Sequence, residues 1–405
     1  MAPRGRKKAF WPGAGPSGEH PLTGTLRPER PAESSLAFIE AAGFAAGLPG
    51  ASLIAQEAEA RGYFRRTLAQ QWQLIQEILA EHFREACAPE EVARAWGRLP
   101  GSRVKFHLPG AWTRLALEGP PEPALALLRE WAGSGDRLLA ESLPETGIRP
   151  WAIQLGPAIV NMLMPWAADP EPEVRRAAVV ALRPRGVWVA HLDWAVEAPA
   201  HLLPLFEALR FEADPRVAGA LANAWNDIAR NQPQLVLELA HRWRAEKAGP
   251  QAEFVARRGL RSLLKGGDPR ALHLMGLEEL QVEAQVSLRG GAEVRPNSSM
   301  VFDIDLVNRG AASPAQLVYE LEFPGRMAGR PRRQRVQAGT YHLPERDRVR
   351  LIVRERIFDR RATPMLDGPA KATFFLNGKN CAELEFRVRR SEDPGMGAVE
   401  DQMQG

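Results

Sequence analysis

Apolar residues recur at helical spacing along the first two thirds of the chain. Between residues 54 and 86 they include Leu68, Trp72, Ile75 and Leu79, which share one face of a helix. Proline-containing turns interrupt this pattern every few tens of residues. Short helices that alternate with such turns are typical of a solenoid, so we predict a helical repeat array over residues 34–276.

Three Asp-Pro pairs punctuate this array. Asp169-Pro170 and Asp214-Pro215 each precede a similar alanine-rich segment, and Asp268-Pro269 repeats the pair. An aspartate caps the free N–H groups of a first helical turn and proline fits within that turn, so each pair is predicted to open a helix. The arrangement resembles HEAT-like repeats, and the expected fold of this region is a HEAT-like α-solenoid.

After residue 277 the hydrophobic period changes from 3.6 to 2, with alternating runs centred on Ile304, Tyr319 and Leu351. Asn377-Gly378 lies between two further runs and predicts a tight hairpin, because both turn residues must accept positive φ. Residues 277–390 are therefore predicted to form a small all-β immunoglobulin-like sandwich, which makes the whole chain mainly α.

The length and composition are consistent with two soluble domains. The chain has 405 residues, of which 45% are hydrophobic and 25% charged. It contains no run of about 18 apolar residues, so no membrane contact is expected. Residues 1–33 are rich in proline, glycine and arginine and predict a disordered basic arm, whereas residues 391–405 predict a flexible acidic tail.

Metal and cofactor chemistry is not expected. Cys87 and Cys381 are the two cysteines, and neither has a second cysteine or a histidine at ligand spacing. Isolated cysteines are typical of a reducing compartment, which predicts a cytoplasmic protein. No phosphate-binding loop or dinucleotide fingerprint is evident, so we expect no cofactor.

Positive charge is concentrated in one part of the chain. The net charge is only +4, but residues 326–361 contain twelve arginines against four acidic residues. Such a field attracts polyanions, although a solvated surface is an equally good interpretation of a basic run.

Several motifs identify a resemblance to the AlkC-type DNA alkylation repair glycosylases. They are Ile148-Arg-Pro-Trp151, the segment from Arg183 to Trp188, the segment around Asn226-Asp227, and the segment from Arg258 to Leu272. Their order and spacing agree with that family from about residue 120 to residue 390. The Asn-Asp segment is the most specific, because ordinary HEAT repeats lack it.

The resemblance implies a C-shaped array that cradles duplex DNA containing alkylated bases and removes cationic bases such as 3-methyladenine and 3-methylcytosine. Members cleave the glycosidic bond without fully flipping the base, unlike most glycosylases. By motif position it assigns Glu145, Trp188 and Asp227 to catalysis. Carboxylates would stabilise an oxocarbenium-like sugar, and an indole face would attract the cationic nucleotide. A monomer is expected.

The helical projection predicts an open position for Asp227. Leu221, Trp225 and Ile228 cluster on one face, whereas Asp227 falls on the opposite side. The alternative interpretation is that Asp227 caps the helix or pairs with Arg230.

Basic residues supply candidates for the DNA backbone. Arg257, Arg261 and Lys265 are spaced by four and predict one helical stripe. A second group is predicted in a loop of the sandwich, from Arg330 to Arg335. The predicted DNA-binding residues are Arg149, Arg183, Arg185, Asn223, Arg230, Arg257, Arg261, Lys265, Arg332 and Arg333.

The chain departs from the family pattern at Val180, where the family commonly has a glutamate. This difference keeps two alternatives open beside a glycosylase. One is a non-catalytic DNA- or junction-binding repeat protein, and the other is a protein-interaction solenoid.

Overall fold

The computed structural model describes residues 51–99, 103–186, 189–325, 331–359 and 364–390. The predicted arm 1–33, the predicted tail 391–405, Trp188 and Arg330 lie outside these ranges. The chain divides into two compact units. The first comprises residues 1–227 with 249–251, and the second comprises 228–248 with 252–405. Within the described ranges, every helix is too short or too polar to cross a bilayer.

The first unit is helical. Its α-helices are α1 Ala51–Ala60, α2 Leu68–Glu85, α3 Pro89–Gly97, α4 Leu108–Ala116, α5 Pro121–Ala132, α6 Arg137–Ser142, α7 Arg149–Leu155, α8 Ile159–Ala167, α9 Pro172–Ala181, α10 Asp193–Glu197, α11 Leu203–Ala208 and α12 Pro215–Ala229, whose last two residues belong to the second unit. A π-helical turn, Leu143–Ile148, joins α6 to α7.

Helix α2 illustrates how the sequence specifies these elements. Its predicted apolar face is confirmed, since Ile75 and Leu79 are completely buried. A capping box begins the helix, because the Thr67 side chain accepts from the Gln70 N–H and the Gln70 side chain accepts from the Thr67 N–H. One apolar stripe and one capped end together define this helix.

The Asp-Pro prediction is confirmed at two of its three positions. Asp214 accepts from the Arg216 N–H at 2.8 Å, and Asp268 accepts from the Arg270 N–H at 3.0 Å. The prediction is wrong for Asp169, because α9 begins at Pro172 rather than Pro170. Asp169 instead forms a turn with the Glu171 N–H and an ion pair with Arg129, so its carboxylate links two helical segments.

Among its described residues, the second unit contains four further α-helices and two β-sheets. The helices are α13 Pro233–Ala245, α14 Ala252–Gly259, α15 Arg261–Gly266 and α16 Pro269–Leu274. The strands are β1 Val282–Leu288, β2 Glu293–Val294, β3 Ser299–Asn308, β4 Ser313–Phe323, β5 Arg332–Leu343, β6 Arg348–Arg356, β7 Gly368–Leu376 and β8 Lys379–Val388.

The strands form a three-stranded sheet, β1-β3-β6, and a five-stranded sheet, β2-β8-β7-β4-β5. Between the described strands, β2 pairs with β8 in parallel and the other pairs are antiparallel. One apolar core includes residues from both sheets, with Phe302 of β3 in contact with Tyr319 and Phe374 of the other sheet. This confirms an all-β module after the helices, while its immunoglobulin-like topology stays a prediction.

Period-2 patterning predicted the strands well. Phe302, Ile304 and Leu306 are buried in β3, and Asn377-Gly378 forms the β7–β8 turn with φ of 44° and 81°. The loop predicted from Arg330 to Arg335 is wrong for its described part, because Arg332 and Arg333 lie in β5. These arginines pair in register with β4, where Glu322 lies opposite Arg333.

Candidate active site

The region around Glu145 is a helix with a widened turn. The Arg149 N–H donates to the Pro144 carbonyl, five residues back, instead of four. Pro150 explains the widening, since it has no N–H and its ring opposes the carbonyl that an α-helix would place there. The sequence Pro144-Glu-Thr-Gly-Ile-Arg-Pro150 therefore produces the π-helical turn that presents the half-buried Glu145.

This turn is fixed against neighbouring helices. Thr113 of α4 donates through its hydroxyl to the Gly147 carbonyl at 2.8 Å. A Cβ on Gly147 would lie 2.9 Å from the Leu128 side chain and 3.1 Å from Pro109. Glycine is thus required for the close approach, and the close approach holds the backbone beside Glu145.

Arg149 is the most deeply buried charged side chain of this region, at 1% exposure. Its Nε donates to the Ala190 carbonyl at 2.7 Å, and its Nη1 donates to the carbonyls of Ala181 at 3.1 Å and Arg183 at 2.8 Å. Its Nη2 donates to the Pro184 carbonyl at 3.4 Å. The guanidinium therefore hydrogen-bonds to backbone carbonyls at both ends of the segment 181–190 and holds these ends together.

The clasped segment is a tight loop. The Leu192 N–H donates to the Pro184 carbonyl at 2.9 Å, and a Cβ on Gly186 would lie 2.6 Å from the Val189 carbonyl oxygen. Trp188 lies in this loop by sequence but outside the described residues. Arg149 thus fixes the backbone on both sides of the predicted catalytic tryptophan.

Asp227 is buried and paired. Its carboxylate is 5% exposed, and its Oδ2 accepts from Arg183 Nε at 3.0 Å and Nη2 at 2.8 Å. The predicted open position for Asp227 is therefore wrong. The helical projection of α12 was right about the apolar face, since Leu221 and Trp225 are completely buried, but Arg183 covers the polar side.

Electrostatics connects the two predicted catalytic acids. Burial lowers the pKa of Arg149 to about 10, the charge of Glu145 opposes this, Arg183 lowers the pKa further and Asp227 raises it. Glu145, Arg149, Arg183 and Asp227 thus form one interacting group, which we call the Arg149 cluster. Two carboxylates that lie 82 positions apart in the sequence act on the same guanidinium.

Arg149 does not have the exposure needed for its predicted contact with DNA. A guanidinium at 1% exposure that donates to four carbonyls has no face for a phosphate. The partners of Arg149 are therefore backbone carbonyls rather than the DNA backbone that was predicted. An arginine between Ile148 and Pro150, followed by the fully buried Trp151, was the sequence signal for burial.

The other predicted DNA-binding residues of the first unit differ in exposure. Arg183 is half-buried against Asp227, while Arg185 and Asn223 are also half-buried. Their contact with DNA stays a prediction.

In the second unit, the predicted stripe is divided between two helices. Arg257 lies on α14, whereas Arg261 and Lys265 lie on α15, and the helices are interrupted at Leu260. Arg257 is paired with Glu253 at 3.3 Å. Burial, together with the positive charge of Arg335, lowers the pKa of Lys265. Arg230 is exposed just after α12.

The sandwich candidates are bonded within their own unit. Arg332 donates through Nη1 to the Phe358 carbonyl at 3.1 Å, and Arg333 lies 3.3 Å from Glu322. Both cysteines are free thiols. Within the ranges that the structure describes, His, Cys, Asp and Glu side chains form no group suited to a metal ion.

No family model matches the chain. The uncharacterized protein YhaZ of Bacillus subtilis (strain 168) is 30% identical over 137 residues, which are 34% of this chain and 38% of that protein. The similar stretch thus spans well under half the length of this relative.

Among solved structures, one aligns with nearly the whole chain. Pseudomonas fluorescens alkylpurine DNA glycosylase AlkC, bound to DNA containing an abasic site analog, is 21% identical and covers 88% of this chain and 97% of its own. A β-glucosidase from Listeria innocua covers 27% of the chain with a TM-score of 0.22, too low to establish a shared fold. With a TM-score of 0.77 to the AlkC structure, this chain has the AlkC-type fold.

Proposed function

We propose that this protein is a DNA glycosylase that removes cationic N-alkylated bases, such as 3-methyladenine and 3-methylcytosine, from duplex DNA. The observation that carries the proposal is the Arg149 cluster, in which Glu145 and Asp227 act on one guanidinium beside the loop of Trp188. The AlkC-type fold supports the same reaction class, because the similar structure is a glycosylase bound to DNA.

The chemistry requires little acid catalysis. An N-alkylated base of this kind is already cationic and leaves as a neutral molecule, so no strong proton donor is needed. Positive charge develops on the deoxyribose as the glycosidic bond breaks, which is the situation of an oxocarbenium-like transition state. Nearby carboxylates stabilise that charge and orient the attacking water.

Asp227 is suited to this role through one oxygen. Both bonds from Arg183 go to Oδ2, and among the described residues Oδ1 accepts no hydrogen bond. Arg183 therefore fixes the plane of the carboxylate, and Oδ1 is the atom that we assign to the sugar or the water. Glu145, half-buried on its rigid π-helical turn, supplies the second negative charge.

We assign the aromatic contact to Trp188. An indole face attracts a cationic nucleotide by about 0.5–2 kcal/mol, more where water is excluded. Support for this assignment comes from the described residues on either side, since Arg149 donates to the carbonyls of Pro184 and Ala190. Arg183, Arg185, Asn223 and Arg230 remain our candidates for contacts with the DNA backbone near the lesion.

The test is release of alkylated bases from methylated duplex DNA by the full-length protein. We expect the native protein to release 3-methyladenine and 3-methylcytosine, and Asp227→Asn and Glu145→Gln to slow release by about 10²-fold or more. Glu238→Gln is the matched control, because Glu238 is an exposed acid of α13. Thermal unfolding of each variant separates lost chemistry from lost structure.

A second candidate is a non-catalytic DNA-binding protein. The pairing of the buried Asp227 with Arg183, together with the half-buried Val180 at a position where the family commonly has glutamate, favours this reading. Tight binding of alkylated duplex without any base release by the native protein would establish it. Absence of DNA binding at low salt would overturn both candidates and leave a protein-interaction solenoid.

A further inference from the structure

Strand β6 presents a regular row of arginines to solvent. Arg348, Arg350, Arg354 and Arg356 occupy four of the five alternate positions on the exposed face of the strand, and all four are exposed. The central position of the series is Ile352, which is 60% exposed. The intervening residues of the strand face the core or are half-buried, so the row follows from the strand period alone. We call these four residues the β6 arginine row.

The spacing of the row is set by the backbone. Residues two apart on one face of a strand are separated by about 6.7 Å. A nucleic acid strand is a linear polyanion with regularly spaced charges, so a row of arginines along one strand can contact several phosphates at once. Among the described strands the backbone of β6 pairs with β3, and β5 lies on its other side, where Gln334 donates to Glu355 at 2.8 Å. The row is therefore one-dimensional and lies on the exposed face of β6 rather than along a free edge.

Three of these arginines lack a compensating acid opposite them. In the β3–β6 register Arg348 faces Val307, Arg354 faces Val301 and Arg356 faces Ser299. Within the part of the chain that the structure describes, no carboxylate lies within ion-pairing distance of any of the three.

Arg350 is the partial exception. It faces Asp305 and lies 3.4 Å from Asp303, but Asp303 is already held by Arg289 at 2.7 Å. The acids of this sheet face are therefore shared among several arginines, and a net positive charge remains along β6.

The neighbouring basic strand differs in this respect. Arg333 and Arg335 of β5 lie opposite Glu322 and Glu320, at distances of 3.3 Å and 3.6 Å. Their charge is balanced on the same sheet. Of the basic segment that the sequence singled out, β6 has three guanidinium groups without an acidic partner among the described residues, whereas Arg333 and Arg335 of β5 are paired. Arg356 also lies over the Phe358 ring at 5.1 Å, a contact that leaves its charge uncompensated.

We propose that the β6 arginine row binds the phosphate backbone of DNA without sequence preference. The proposal rests on DNA as the partner of the proposed glycosylase, and it assigns that contact to a different strand from Arg332 and Arg333. A single straight row suits a linear polyanion better than a membrane plane, and the exposed Ile352 offers an apolar contact for the sugars between phosphates.

The test measures binding of full-length protein to an undamaged fluorescent duplex over a range of salt concentrations. The triple variant Arg348→Gln, Arg354→Gln, Arg356→Gln should bind about tenfold or more weakly at low salt. The slope of log K against log salt should become shallower by about two to three units, since each lost phosphate contact removes about 0.9.

The control removes three exposed arginines of the same unit that are already paired with acids, by Arg270→Gln, Arg309→Gln and Arg389→Gln. It changes the net charge equally and should leave most of the slope intact. Equal effects of the two triple variants, or a native slope in the β6 variant, would overturn the proposal. Base release by the native protein, measured separately, shows whether the glycosylase proposal itself fails.

Discussion

The arginines of the helical unit and those of the β-sandwich serve opposite physical ends. Arg149 is buried and donates to four backbone carbonyls, and it sits among two carboxylates and a second arginine. The arginines of β6 stand in solvent, and three of them face uncharged residues. Arginine thus stabilises the backbone in the helical unit, whereas in the β-sheet module its charge is available to bind an external anion.

The exposure of a charged side chain decides whether it contributes to folding or to binding. Burying a guanidinium is costly unless all its donors are satisfied. Removing a buried guanidinium whose donors are satisfied leaves its partners unpaired, and this strongly destabilises the fold. An exposed guanidinium is well solvated and adds little to folding, but it is free to meet a polyanion.

Replacing Arg149 should have the largest effect. Arg149→Ala leaves the four carbonyls without their donor and opens a cavity, so we expect a loss of about 3–5 kcal/mol in the free energy of unfolding. Urea unfolding measures it, with the exposed Arg230→Ala as a control that should change little. A loss below 1 kcal/mol would contradict the clasp described for the loop 181–190.

His107 tests the effect of burial on a group whose charge changes with pH. Burial lowers the pKa of His107 to about 4 from an ordinary 6.5, and within the described residues its Nδ1 has no hydrogen-bond partner. The folded state disfavours the proton, so this contribution to stability is complete above pH 6.5 and declines as pH falls towards 4. The loss should be about 2 kcal/mol at pH 5.

His107→Gln removes that titration. The unfolding free energy of the variant, followed from pH 7 to pH 4.5, should fall less steeply than that of the native protein. Because slopes are compared, any constant cost of the substitution cancels. Parallel curves for the two proteins would show that His107 is not responsible.

Asp268 is half-buried, and its substitution should have an intermediate effect on the free energy of unfolding. Asp268→Ala removes the cap of α16 and should cost about 1 kcal/mol, whereas Asp268→Asn keeps a capping oxygen and should cost less. Chemical unfolding of the two variants gives the difference. Equal losses would mean that charge pairing with Arg270, rather than capping, dominates.

The smallest effect is expected at Arg309. It is exposed and lies 3.0 Å from the equally exposed Glu283, so Arg309→Gln should leave the unfolding midpoint unchanged within error. A clear shift of the midpoint would contradict this expectation, because it would show that a solvated ion pair stabilises the β-sheet module.

Local patterns predicted the elements because local physics forms them. The apolar face of α12, the alternation in β3 and the Asn377-Gly378 turn each depend on residues a few positions apart. Burial and turn geometry at such positions follow from helical or strand spacing, so the sequence sufficed.

The surroundings of the site depended on distant residues. Arg183 covers Asp227 from 44 positions away, and the carbonyls that bind Arg149 lie 32 to 41 positions further along the chain. Every residue has a backbone carbonyl, so neither composition nor periodicity shows which carbonyls accept from a distant side chain. The projection of α12 therefore placed Asp227 on the correct side of the helix and could not reveal what lies against it.

Asn377 has a consequence for the lifetime of the sandwich. Its Oδ1 accepts from the Gln316 N–H at 2.7 Å, and its Nδ2 donates to the carbonyls of Glu278 at 2.7 Å and Pro314 at 3.1 Å. Asparagine followed by glycine is the sequence in which the side-chain amide is most readily lost by deamidation. The aspartate so formed would set a negative charge against two carbonyl oxygens, and ageing of this single amide would loosen three chain segments at once.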